Sequence, residues 1–202
     1  MRRLALSVGF LTLSVSKLIA TTPVLRRSPE FTIYDSSGKT ILLSSLKGKV
    51  VVLEFLFIRS PHCLRVAQIL NKLQGELGPR GFQPVGIVFG MGANESEVSN
   101  LVQYFKLAYP VGYTSSDKVD NYLGRKGNEI LKIPQVVVID RIGMIRATSG
   151  TKGDPNLENE NPLRDFINTL LSESVPATKK GRSSSPSKNV PSGAHALPAH
   201  QQ

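Results

Sequence analysis

From Val50 to Phe57 the chain reads Val-Val-Val-Leu-Glu-Phe-Leu-Phe, and from Cys63 onward the apolar pattern changes period. A near-continuous apolar run rich in β-branched residues is the pattern of a central strand covered on both faces. Cys63, Val66, Ala67, Leu70, Leu73 and Leu77 then recur at helical spacing until Gly78-Pro79 stops them. Phe82 to Phe89 is a second buried strand. Two strands buried on both faces and joined by a helix demand a layered α/β architecture, because only helices on both sides can cover such a sheet.

The flanking segments fit this frame. Phe31–Tyr34 and Thr40–Leu43 read as short strands around the Asp35-Ser36-Ser37-Gly38 turn. Asn94 caps a helix through about Lys106, with Glu95 and Glu97 placed to favour its dipole. Tyr109–Tyr113 is a short strand and Asp117–Leu123 a short helix. Gln135–Asp140 and Met144–Thr148 form a hairpin over Arg141-Ile142-Gly143, and Pro162–Leu171 is a closing helix. The expected fold is a mixed central sheet with helices on both faces and an N-terminal β-hairpin, spanning residues 28–174.

The formal net charge of +10 invites a nucleic-acid reading until its location is traced. Residues 1–27 hold five basic residues and residues 175–202 hold four, with no acid in either segment. The remainder sets 16 basic residues against all 15 acidic ones, so the domain shows no electrostatic sign of a phosphate-binding face; the tail could touch anionic partners weakly, and no nucleic-acid partner is expected. Residues 1–22 read as a signal peptide or N-terminal anchor: Met1-Arg2-Arg3, then a mostly apolar stretch, then Ala20-Thr21-Thr22. If uncleaved, residues 4–20 would tether the chain to a membrane. The domain is accordingly expected outside the cytoplasm, periplasmic or facing the extracellular side. Residues 175–202 are rich in Ser, Pro, Gly, Lys and Ala without periodicity, and are expected to be a disordered basic tail. Cys63 is the sole cysteine, so no internal disulfide can form.

Val51 to Cys63, ending in Ser60-Pro61-His62-Cys63, resembles the strand leading into the C-x-x-C motif of thioredoxin-like proteins. The likeness is strongest to the exported TlpA-like redoxins of the AhpC/TSA superfamily. Asp35–Lys39 and Leu43–Lys49 resemble that group's N-terminal hairpin and the segment before its first core strand. Ile133-Pro134-Gln135 is similar to the segment carrying the family's cis-proline, and Val138–Gly143 to its following hairpin. The resemblance covers most of residues 29–172. It implies a thioredoxin fold and thiol–disulfide oxidoreductase chemistry, with no cofactor and no metal.

In such a family the first motif cysteine attacks a substrate disulfide and the second resolves the mixed disulfide. Here Ser60 holds the first position and Cys63 the second. A serine hydroxyl cannot form the disulfide, so the two-cysteine cycle is unavailable and Cys63 is left to form at most mixed disulfides. With Pro61 at the first helical position, Ser60 is also an N-cap for the N–H of Cys63, worth about 1 kcal/mol. The helix dipole favours a Cys63 thiolate while burial opposes it; exposure decides between a reactive monothiol and an inert core thiol. Pro61-His62 resembles the dipeptide of strongly oxidising DsbA-type sites, but without a thiolate at 60 His62 reads as a solvated helix-start residue. Glu54 matches the family's buried carboxylate beneath the motif; its alternatives are solvent or a partner such as Arg59. Pro134, if cis, shapes the site and offers an edge to an extended peptide. The expected partners are therefore protein thiols or disulfides, or an extended peptide near Pro134, and the chain is expected to be a monomer.

Two other readings compete. A peroxiredoxin-like peroxidase places Ser or Thr three residues before its reactive cysteine, as Ser60 and Cys63 are placed. The proline expected earlier in that loop is missing, however, and Pro134 stands where an arginine is usual. A non-enzymatic thioredoxin-fold module would hold a peptide without turnover.

Overall fold

The computed structural model describes residues 26–127 and 129–174, so the expectations for 1–22 and 175–202 lie outside the described residues. The elements in order are β1 (Arg26–Arg27), β2 (Thr32–Asp35), β3 (Thr40–Leu42), β4 (Val50–Leu56), α1 (Pro61–Leu77), β5 (Phe82–Val88), α2 (Glu95–Phe105), β6 (Val111–Tyr113), α3 (Ser116–Leu123), β7 (Gln135–Ile139), β8 (Met144–Thr148), α4 (Pro155–Glu158) and α5 (Glu160–Ser172). The strands form one eight-stranded mixed sheet in the order β1-β8-β7-β4-β5-β6-β2-β3. β5 lies parallel to β4 and β6 parallel to β5, while β7 runs antiparallel on the other side of β4. This is the mixed sheet with an N-terminal hairpin expected from sequence.

Strand parity sorts the core. Val50, Val52 and Leu56 join one buried cluster with Cys63, Val66 and Leu70 of α1, Val98 of α2 and Leu163 and Ile167 of α5. Val51, Leu53 and Phe55 join a second with Phe31, Ile33 and the α3 residues Val119 and Tyr122. Alternate side chains of a strand point to opposite faces, so β4 supplies both layers. Fully burying each Leu, Ile, Val or Phe stabilises the fold by about 1.5–3 kcal/mol before conformational entropy is counted.

Several boundaries differ from expectation, each for a physical reason. Leu43 leaves the hairpin for a 3-10 turn, Leu43–Leu46, so β3 stops at Leu42. The closing helix starts at Glu160, ahead of Pro162, because the first-turn N–H groups of a helix need no intrahelical partner and proline fits there. The short α4 was not foreseen; Asp154 caps it by accepting the N–H of Asn156, with Pro155 at its first position. β1 was missed as well: Arg26 and Arg27 pair with Ile145 and Met144, so the sheet begins before residue 28. At Gly112, opposite Asp35, a Cβ would collide with the Tyr34 carbonyl oxygen and Ile33, so this strand pair approaches closely only because the residue is glycine.

Candidate active site

The site lies where β4 hands over to α1. Ser60 is extended (φ −91°, ψ 113°) and its Oγ accepts the N–H of Cys63 at 3.4 Å, with Pro61 at the first helical position. The residue at the family's nucleophile position is therefore the helix cap. Its hydroxyl has no histidine or carboxylate base within hydrogen-bond reach among the described residues; the His62 ring is engaged elsewhere, as described below.

Cys63 begins the apolar stripe of α1 and is fully buried. Burial pushes its thiol pKa up, against the opposing pull of hydrogen bonds from Ser60 and the Phe57 backbone, and the charge of Glu54 raises it further. Of the two effects weighed from sequence, burial prevails.

Glu54 shares the strand parity of Val52 and Leu56 and so faces the α1 layer that contains Cys63. It is wholly buried, and neither carboxylate oxygen has a hydrogen-bond partner among the described residues. It neither reaches solvent nor pairs with Arg59, which removes both alternatives considered from sequence. Burial drives its pKa well above the usual carboxylate range, so the neutral acid is the favoured form. Its charge also contributes to raising the phenol pKa of buried Tyr109, after burial itself, while Tyr109 donates its hydroxyl to the Ala67 carbonyl at 3.2 Å.

The reading of His62 as solvated is corrected. Its Nε2 lies 2.6 Å from Oε2 of Glu158, a buried carboxylate that had not been anticipated. Lys132 Nζ stands 3.7 Å from the same oxygen, and Oε1 accepts the Asp154 N–H at 3.0 Å. Arg65 donates to the Glu158 carbonyl at 3.1 Å and lies 3.4 Å from His62 Nδ1. Glu158 thus fastens three segments together: the first turn of α1, the Lys132–Pro134 loop and the 150–158 loop. Gly153 (φ +76°) permits this, since a Cβ there would sit 2.5 Å from Oε1. The only sequence signal was the Asp154-Pro155 helix start, which fixes α4 but does not say what its last residue will meet.

The Ile133–Pro134 peptide is cis, and Pro134 is buried. The register pairs Phe55 with Gln135, which places Pro134 at the carboxyl end of β4, the same end from which Ser60 and Cys63 depart. Gln135 holds the loop by donating to the carbonyls of Lys132 at 2.7 Å and Gly150 at 2.8 Å. Ser60, Pro61, His62, Cys63, Glu54 and Pro134 therefore gather at one end of the sheet. No group of three or more metal-ligating side chains occurs among the described residues.

The AhpC/TSA family model matches residues 24–148. Among curated proteins, the chain is 28% identical over 145 residues to chloroplastic peroxiredoxin Q of Suaeda salsa, covering 70% of this chain and 66% of that one. It is 26% identical over 122 residues to the thiol-disulfide oxidoreductase ResA of Bacillus thuringiensis (strain Al Hakam), covering 59% and 65%. The chain spans just under two thirds of the length of these two relatives. Among solved structures, a thioredoxin-family thiol:disulfide interchange protein from Chlorobium tepidum TLS superposes with a TM-score of 0.60 at 23% identity, covering 75% of this chain and 99% of that one. A thiol:disulfide interchange protein from a Bacteroides species gives 0.58 at 21%, covering 79% and 95%. At these identities the structural likenesses establish the thioredoxin fold.

Proposed function

The chain belongs to the AhpC/TSA family, and from that premise we propose that it is a redoxin of the thiol-disulfide oxidoreductase type with an attenuated single-thiol site. The observation that carries this reading is Ser60 capping α1 directly ahead of a fully buried Cys63. The exchange open to such a site is one step. The Cys63 thiolate attacks a partner's disulfide, one new S–S bond forms, and the partner's other sulfur leaves as thiolate. With serine at position 60 no internal thiol resolves the product, so the mixed disulfide lasts until an external thiol attacks it. Burial and the raised thiol pKa make the first step slow. The proton lost when the Cys63 thiolate forms passes to solvent, and Glu54, on the Cys63 side of the sheet and favoured in its neutral form by burial, is suited to return a proton to that sulfur when an external thiol releases it.

The partners proposed are protein thiols or disulfides presented on an extended segment along the Pro134 edge. The charge-then-apolar order of residues 1–22 supports action outside the cytoplasm, with residues 4–20 as the tether if they are retained.

The test combines three measurements on the full chain. Oxidised glutathione is expected to add slowly to Cys63, seen as a mass increase absent from Cys63→Ser, while insulin reduction stays at background. Labelling of Cys63 only upon unfolding, with no adduct, would reduce the chain to a binding module. The similarity to peroxiredoxin Q favours a second reading, peroxide reduction at Cys63. Hydrogen-peroxide consumption abolished by Cys63→Ser would establish it in place of the first.

A further inference from the structure

On the side of Ser60 away from β7, three successive strand ends leave a surface that the redox site does not use. Phe57, Ile58 and Arg59 follow β4, Gly90 to Ala93 follow β5, and Thr114 to Ser116 follow β6. Their side chains line two adjoining depressions that share Met91. Met91 is fully exposed, Phe57 is 42% exposed and Tyr34 is 39% exposed, so the two depressions show three large apolar side chains to solvent. Phe57 is held in place from beneath by Phe89, with ring centroids 4.8 Å apart. Tyr34 and Tyr113 are direct cross-strand partners and form one wall. Burial of the Thr114 side chain is nearly complete, yet its hydroxyl has no hydrogen-bond partner among the described residues. In open α/β sheets, the region outside the carboxyl ends of the strands is where ligands bind.

Charge selects the occupant. The charged residues among those lining the groove are Arg59 at one end and Lys118 at the other, the latter 5.6 Å from the Tyr34 ring centroid. Neither forms a salt bridge among the described residues. Asp117 stands beside Lys118 in the chain, and its pKa is lowered, chiefly by a hydrogen bond from Ser115 and in part by the Lys118 charge, but it is not among the residues lining the groove. The chain's own ends are poor candidates, since residues 1–25 and 175–202 carry seven basic residues and no acid. A concave, aromatic-walled groove between two cations suits an extended peptide better than a flat bilayer.

We propose that this groove, running from the Phe57–Arg59 turn just before Ser60 to the start of α3, is the docking site for an extended acidic segment of a partner protein bearing aliphatic or aromatic anchors. Its position beside Ser60 would bring that segment up to Cys63, and only this direction rests on the redoxin reading. Docking itself needs no thiol chemistry.

The probe is a cysteine-free, fluorescein-labelled peptide, Asp-Leu-Glu-Phe-Ser-Leu-Asp, read by fluorescence anisotropy with the full chain. A second peptide with lysine at each acidic position is the control. The acidic peptide is expected to saturate at micromolar protein, with the basic one at least about tenfold weaker and the difference shrinking as salt rises. Met91→Asp and Arg59→Glu should each weaken binding by roughly tenfold without changing the melting curve. Cys63→Ser should bind as the parent does, which separates failure of docking from failure of the redox reading. Equal binding of the two peptides, or no response to Met91→Asp, overturns the proposal. So does Met91-dependent sedimentation with phosphatidylglycerol vesicles, or Met91-dependent self-association by ultracentrifugation, when the acidic peptide does not bind.

Discussion

Replacing Glu158 by alanine removes a buried carboxylate whose partners His62 and Lys132 are themselves partly in water. Its side chain is 3% exposed, against 35% for His62 and 52% for Lys132. The partners released by Glu158→Ala rehydrate, so no buried charge is stranded and the loss is that of the contacts removed. The 2.6 Å hydrogen bond from His62 to the carboxylate contributes roughly 1.5–3 kcal/mol, and the one from Asp154 N about 1 kcal/mol. Lys132 at 3.7 Å, half in solvent, adds at most about 0.5 kcal/mol. The expected destabilisation is about 2.5–4.5 kcal/mol. His62→Ala should cost about as much for the opposite reason, because it leaves the carboxylate buried with only the Asp154 N–H and the more distant Lys132 to satisfy it. Urea denaturation followed by circular dichroism on the parent, both single variants and the double variant should return a coupling of about 1.5–3 kcal/mol. Because His62 and Cys63 share the first turn of α1, Glu158→Ala should also speed thiol labelling of Cys63, about tenfold for each 1.4 kcal/mol of lost local stability. A coupling below about 0.5 kcal/mol with unchanged labelling would refute the view that this pair holds the start of the helix.

Glu54 carries a pH prediction. Its folded pKa is raised, so between about pH 4.3, its unfolded value, and the folded pKa the native state holds a proton the unfolded state has lost, and stability falls as pH rises through that window. Glu54→Gln should flatten the slope, which approaches about 1.4 kcal/mol per pH unit in the parent, and should raise stability at pH 8; denaturation series at several pH values check this. Ser60→Cys restores Cys-Pro-His-Cys and should give insulin reduction well above the parent's, lost again when combined with Cys63→Ser; no gain would mean the surroundings no longer support exchange. Gly112→Ala should destabilise by about 3 kcal/mol or more, because the atom in the way is the Tyr34 carbonyl, which cannot swing aside like a side-chain end; thermal melting measures it.

Much of the site could be read along the chain because its parts are local to it. The cap at Ser60, the proline after it and the apolar stripe from Cys63 to Leu77 are spaced within one strand–helix unit, where geometry is fixed by a few bonds. The cis peptide at Pro134 was legible through resemblance to a family. His62 was misread because its partner lies 96 residues away, and no local rule connects a helix-start histidine to the last residue of a four-residue helix. β1 escaped for a similar reason: two arginines have no strand signature, and only the free edge of β8 makes them one.

By itself the sequence determined the layering of the domain, the loss of two-cysteine cycling and the concentration of positive charge at the chain ends. These follow from period, residue type and count, which need no third dimension. The tertiary structure decided what becomes of the groups that remain. Parity alone assigns Glu54 to the α1 face of β4, but the packing of α1 over that face is what denies it solvent and a partner. The contest at Cys63 between helix dipole and burial was undecidable along the chain, because both effects act on one atom and only the surrounding layer sets their sizes. That layer buries the thiol completely.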